Sequence, residues 1–535
     1  MARADHRMWV LTPRRDAGLP PASVILGLGL ILNLIVFGLN RGPTLYWDTI
    51  SYFNAGQEVL SVLLGEGSGP VRGEDPGPAA PASTTPDARG INADAVKPGP
   101  DTPGVEPVMV NRSIYYALLL RLTDGLASLD GIVFVNLLGL ALAMGLTALA
   151  LRGQWEGAQA LRLTGVMLTA AALGAAPFYV AYAMPDIFAP ILILSAAVIA
   201  VFGARLDRIP LALALALCVG GAVMHLSHLA ILAALVPLAL LAALIQREQR
   251  WWRAPGALGL ALVAALIAQS VYVKAAESTG APQEKATTLP FLTVRTLFDG
   301  PGTTYLKEHC PDPAIAACAF AHTEPVRTPN RFLFSKDPAE GFYRPISNDT
   351  KVQLGAQDRQ FFFTVLRTYP VRQTLAMLEN SLDQLQRFDV RATLTEDTLT
   401  RSLASGDNAG ERHASLLEVA DDSALSPDQS WTGWLHGLHG LVYGVSFGIV
   451  ALLLVWPASR VPRDLRLLVL IVLAGIAANA VACGAVSEPA NRYGGRVIFL
   501  LPVCAALLAM ASAAGFWKDL RETLLIVLPR HGDHI

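Results

Sequence analysis

Charge is what this 535-residue sequence has least of: 16% of its residues are Asp, Glu, Lys or Arg, against roughly a quarter in ordinary soluble domains. The hydrophobic share of 53% belongs to a chain that lives in a bilayer. A net charge of −2 supplies no basic stripe, and no nucleic-acid-binding motif appears, which sets nucleic acid aside as a partner. Cysteine is sparse as well. Five residues cannot frame a disulfide-stapled domain, and Cys218, Cys483 and Cys504 lie in apolar runs where a thiol behaves as a small hydrophobe. Cys310 and Cys318, in EHCPDPAIAACAF, invite a bridge; two unpaired thiols are the alternative. Absent too are G-x-S-x-G, a Walker sequence, H-E-x-x-H and a glycine turn that follows a strand, so nucleotide folds find no support.

What is present is apolar sequence in long windows. They predict an all-α polytopic membrane protein with about ten transmembrane helices, near 22–40, 131–151, 164–183, 187–204, 209–224, 227–245, 256–274, 435–456, 466–484 and 496–515. The fifth and sixth come from one run, divided at its polar cluster HLSH. The basic N-terminus before the first window resembles a secretory signal, but FGLNRGPTLYWD lacks a small-x-small cleavage site, so a retained helix is expected. Arg152, Arg162, Arg205, Arg208, Arg247, Arg250, Arg253, Arg460, Arg463 and Arg466 fall in alternate short loops. That asymmetry predicts an inner-membrane protein with both termini cytoplasmic and its large loops periplasmic. The nine tryptophans fall near window ends, as interfacial anchors should.

Three regions follow. Residues 1–274 form an N-terminal transmembrane region whose first periplasmic loop, 41–130, holds an interfacial helix after Trp47, a mobile Pro/Gly-rich linker over 65–108 and a second amphipathic helix from NRSIYYALLL. Residues 275–434 form a periplasmic helical block interrupted at Pro370, and 435–535 a C-terminal transmembrane region. Sequons stand at Asn111 and Asn348.

Ionisable residues gather at the predicted outer face. Arg492 and Arg496, in SEPANRYGGRV with Glu488 and Tyr493, break the positive-inside pattern, and arginine at a membrane boundary is costly unless it meets an anion. A guanidinium fork suits phosphate; bonding to helix ends or to Glu488 is the structural alternative. Asp48, between Trp47 and Tyr52, fits either a general base with a raised pKa or a helix N-cap. Asp186, after Pro185, fits a cap or a catalytic group equally well. His225 and His228 stand three apart, as a polar pair lining a cavity and hydrogen-bonding substrate or lipid phosphate together with Tyr493 and Glu488; two metal ligands lacking an identifiable third, or a satisfied structural pair, are the alternatives.

Taken together, these residues resemble the GT-C class of membrane glycosyltransferases, which includes oligosaccharyltransferase catalytic subunits, protein mannosyltransferases and lipid A aminoarabinose transferases. The likeness is one of layout: many spans, an acidic residue just after the first (Asp48), interfacial helices in the first outer loop, and arginines by a late span (Arg492, Arg496). RTLFDGPGTTYLKEHCPD and SEPANRYGGRVIFLLP also resemble an uncharacterised bacterial membrane-protein family of this type, over most of the chain. The resemblance implies a polyprenyl-phosphate-linked sugar donor, a glycan, lipid or protein acceptor, Asp48 as the activating carboxylate and basic residues on the phosphate. The first loop has no D-x-D, which leaves a divalent metal open and no cofactor certain. The rival readings are a lipid or polyanion transporter or flippase, and a non-catalytic envelope-assembly subunit.

Overall fold

The computed structural model describes residues 20–64, 106–152, 157–279, 284–325, 327–335, 337–405 and 413–527. Helix dominates throughout. Among the described residues, seven helices are long and apolar enough to cross a membrane: Asp130–Leu151, Pro185–Phe202, Leu226–Gln246, Arg253–Ala276, Trp431–Val455, Arg463–Ala485 and Asn491–Ala513. At the centre lies Phe188–Phe202, FAPILILSAAVIAVF, in which every residue is buried. A helix apolar all round can be covered all round, and this one contacts the helices Asp130–Arg152, Arg208–Val223, Leu226–Gln246, Arg253–Thr279 and Arg463–Ala480.

Among the described residues, three of the ten expected spans are not single helices of membrane-crossing length. The expected span 22–40 divides into Ala22–Asn33 and Ile35–Asn40. The buried Asn33 amide donates to Gly29 O four residues back, competing with the backbone ladder, and also to Leu168 O of a neighbouring helix. The expected span 164–183 divides into Gly157–Ala172 and Ala176–Ala181. Pro177 has no N–H to continue the ladder and instead opens the second piece. Arg208–Val223 is apolar but shorter than a usual span.

Beside the main apolar core, described residues between Leu289 and Tyr369 build a second, smaller one around Val294, Phe320, Phe332, Leu354 and Val365. Val390, Leu394, Leu399, Leu403, Leu416 and Ala420, from the later part of the expected block 275–434, are buried in the main core instead. Cys310 and Cys318 are joined as a disulfide at the edge of the second core. Asp358 fastens the helix Phe291–Phe298 to this core, accepting from Leu292 N at 3.3 Å and Thr293 N at 2.7 Å. As expected, the helical run breaks at Pro370, between Asn348–Thr368 and Pro370–Gln386.

Of the expected linker 65–108, residues 65–105 lie outside the described part. Its end is a strand: Glu106–Met109 pairs in parallel with Glu284–Thr287, tying the first loop to the second block. Helices stand where that loop was expected to hold them, Trp47–Leu64 and Ile114–Ala127. Both are firmly packed, with Ile50, Phe53, Tyr116 and Leu120 buried in the main core.

Candidate functional site

Two backbone fastenings bring distant acids together. Thr44 N donates to Ala181 O and Ala183 N to Thr44 O, both at 2.9 Å, so the chain entering Asp48 runs beside the chain entering Asp186. Thr49 adds its hydroxyl to Ala183 O, and the Asn136 amide holds Val180 O and Tyr182 O. Asp48 lies in the first turn of Trp47–Leu64, where Tyr46 N donates to Thr49 Oγ1, and Asp48 turns its carboxylate to arginine.

The arginines come from the opposite end of the chain. Arg492 and Arg496 stand one turn apart on Asn491–Ile498, so both guanidinium groups project from one face. Glycines let this helix seat closely: a Cβ on Gly494 would fall 1.8 Å from Arg387 O, and one on Gly495 2.5 Å from the Tyr179 hydroxyl. Tyr179 in turn donates to Arg492 O at 2.6 Å.

The result is a chain of alternating charge. Arg112 Nη2 meets Asp48 Oδ1 at 2.8 Å; Arg492 Nη1 lies 3.4 Å from Asp48 Oδ2, and its Nε 3.7 Å from Asp186 Oδ1. Arg496 Nη1 meets Asp186 Oδ1 at 3.2 Å. Burial deepens along this order, with side-chain exposure of 30% at Asp48 and 25% at Arg112, 7% at Arg492, 1% at Asp186 and 0% at Arg496. The site therefore has a mouth at Asp48 and a sealed end at Arg496. There Arg496 donates to Asn479 Oδ1, Ser227 Oγ and Cys483 Sγ, while the Asn479 amide fixes Tyr493 O. Aromatic faces line the middle: the Arg492 guanidinium lies 4.7 Å from the Tyr46 ring and 4.9 Å from the Tyr493 ring.

The expected raised pKa of Asp48 is reversed. Burial pushes this carboxyl up, but Arg112 and Arg492 together outweigh burial and hold it below its usual value. Neither acid serves as a side-chain helix cap: Asp48 bonds arginine, and the turn Pro185–Ile187 around Asp186 has no side-chain cap. Asp186 Oδ2 is a buried acceptor with no hydrogen-bond partner.

The histidines border the sealed end. They do not share a helix face, because His225 precedes Leu226–Gln246 as its N-cap, its Nδ1 accepting from Ser227 N. His228 is fully buried and donates from Nδ1 to Gly221 O. Among the described residues no group of three or more His, Cys, Asp or Glu is arranged to hold a metal. Glu488 lies elsewhere: its carboxylate accepts from Asn330 N at the start of Pro329–Phe334, in the second block.

Several participants carry no signal in the sequence pattern, although Ser227 belongs to the HLSH cluster that the pattern did mark. Arg112 sits inside a sequon, Asn479 inside an apolar helix, and Glu396 in a loop, where it accepts from the Trp47 indole at 3.3 Å. That loop crosses the mouth, since Thr395 Oγ1 accepts from Leu45 N and Tyr182 donates to Ala392 O.

Fold and site together define an all-helical protein, built on apolar helices of membrane-crossing length, that buries a carboxylate–guanidinium chain open at one end. No protein-family model, curated protein or solved structure matches this chain.

Proposed function

We propose that this protein is a membrane glycosyltransferase of the GT-C type. It moves a sugar from a polyprenyl-phosphate-linked donor to a glycan, lipid or protein acceptor at the periplasmic face of the inner membrane. Arg492 is the observation that supports this reading best. A charge-assisted N–H···O contact settles near 2.7–2.9 Å, yet this nearly buried guanidinium has its two carboxylates at 3.4 and 3.7 Å. Its Nη2 also donates to the Tyr493 hydroxyl at 3.2 Å. A planar fork whose carboxylate contacts are this long, beside a half-open mouth, suits an arriving phosphate, which it can grip with two parallel bonds.

The chemistry then follows from charge. Once phosphate engages Arg492, its hold on Asp48 weakens, and the carboxylate gains basicity where the acceptor must stand. Asp48 takes the proton of the acceptor hydroxyl, the acceptor oxygen bonds to the anomeric carbon, and the bond from that carbon to the phosphate oxygen breaks. Polyprenyl phosphate leaves on the arginines, and the anomeric centre inverts. Asp186 and Arg496 hold Arg492 from behind, and residues 390–396 shield the mouth from water.

The test compares cell-envelope glycans from strains carrying the intact protein, none, Asp48→Asn or Arg492→Ala, with mass spectrometry for co-purifying polyprenyl phosphate. The expected result is one glycan lost from all but the intact strain and bound lipid phosphate lost from Arg492→Ala. Glycans unchanged across the set would refute the transferase reading.

A further inference from the structure

The helix Pro370–Gln386 is amphipathic the wrong way round for a water-facing surface. Its exposed side carries Val371, Leu375, Leu378, Leu382 and Leu385, spaced four, three, four and three, so they form one continuous stripe along the helix. Exposure along the stripe runs from 40% at Leu385 to 69% at Val371. The side turned into the protein is polar instead. Gln373 and Asn380 donate to the Asp299 carboxylate at 2.6 and 2.9 Å, Ser381 donates to Met377 O, and Gln384 both donates to Ala490 O and accepts from Ala490 N at 2.9 Å. Polar groups thus fix the helix to its scaffold while five large aliphatic side chains point away from it.

Its position says what meets that stripe. The helix packs on Val481–Ala485, the last turn of the span Arg463–Ala485, and Gly484 there would touch Asn380 O if it carried a Cβ. That span itself presents exposed Leu470 and Val481 to its surroundings. The leucine stripe therefore continues an apolar surface that already belongs to a membrane-crossing helix, at the level where that helix ends.

We propose that Pro370–Gln386 is an in-plane membrane helix, its Val371–Leu385 stripe embedded at the boundary between headgroups and acyl chains of the same bilayer. The second block is thereby moored to the membrane surface beside Asn491–Ile498, the helix that bears Arg492. This mooring does not depend on the chemistry proposed for the site.

Spin labels on Leu378→Cys and, separately, Leu382→Cys test it in the full-length protein reconstituted into phosphatidylcholine–phosphatidylglycerol vesicles. Asp383→Cys, roughly 100° round the helix from Leu382 and half-exposed, serves as the off-stripe control, and the parent protein controls for its buried thiols. Collision with molecular oxygen, which concentrates in lipid, is compared with collision with a water-soluble nickel chelate. The expected result is oxygen collision exceeding nickel collision severalfold at 378 and 382, with the ratio falling at 383. Nickel access equal to or above oxygen at both stripe sites overturns the proposal in favour of water. Low access to both reagents overturns it in favour of a protein partner or a second copy. Two independent sites, each checked for unchanged thermal unfolding, guard against one variant that misfolds.

Discussion

Arg496 has no exposed surface, and its charge is balanced by Asp186 at 3.2 Å with Asn479, Ser227 and Cys483 around it. Replacing it with Met leaves the buried Asp186 carboxylate with only its longer, 3.7 Å contact to Arg492, which should cost up to about 3–5 kcal/mol of stability. The double variant Arg496→Met, Asp186→Leu should recover much of that loss, as denaturant unfolding in detergent would show; no recovery would mean the two do not act as a pair. At the mouth, Asp48 has a lowered pKa, so its contribution to stability is present above the ordinary carboxylate range and lost as pH falls through the lowered value. Arg112→Gln removes one of the two groups that lower it. The acid limb of the activity profile should then move to higher pH; an unmoved limb would assign it to another group. Sequence reading missed Arg112 because one arginine inside a sequon has no periodicity or cluster to mark it.

At the scale of elements, the helix Asn491–Ile498 works because two glycines remove side chains from a tight seat. Gly494→Ala would press a methyl into Arg387 O and should displace Arg492, weakening lipid-phosphate binding while the spans stay folded. Helix content that holds while bound lipid phosphate falls is the expected readout, and retained lipid would mean Arg492 does not depend on this seat. In the second block, burial pushes the Asp358 carboxyl up to about 6 despite its two backbone donors. A carboxyl raised on folding stabilises below its unfolded value of 3.8, and that contribution is lost as pH rises to about 6. The loss amounts to at most about 3 kcal/mol. Asp358→Asn should flatten the pH dependence of unfolding between pH 4 and 6; a slope that persists would place it on another group. The breaks at Leu34 and at Leu173–Ala175 belong to this scale too. Hydropathy averages over windows and does not register one asparagine bonding a carbonyl or one proline restarting a helix.

For the whole molecule, residues 390–396 are one of the places where the second block meets the apolar helices, through Leu45, Trp47 and Tyr182. If this strap keeps water from the donor, the double variant Trp47→Phe, Thr395→Val should hydrolyse donor in the absence of acceptor faster than the parent, while transfer persists. Equal hydrolysis would show that the strap only positions the block. The disulfide between Cys310 and Cys318, the break at Pro370 and the two helices after the first apolar window were all legible beforehand. So was the gathering of Asp48 and Asp186 with Arg492 and Arg496, in outline, although Asp48 meets Arg492 and it is Asp186 that meets Arg496: ionisable residues are too costly beside a bilayer to stand singly, so their positions pointed to one another.

What sequence alone determined is the medium and the material: a chain this poor in charge must be covered by lipid or by itself, and hydrogen-bonding its backbone without water demands helices. Tertiary structure decided which helices stay whole, which nitrogen reaches which carboxylate, and that Asp48 is held ionised by an arginine the pattern did not mark. Those outcomes turn on differences of tenths of an ångström between chain segments hundreds of residues apart, and periodicity carries no information at that separation.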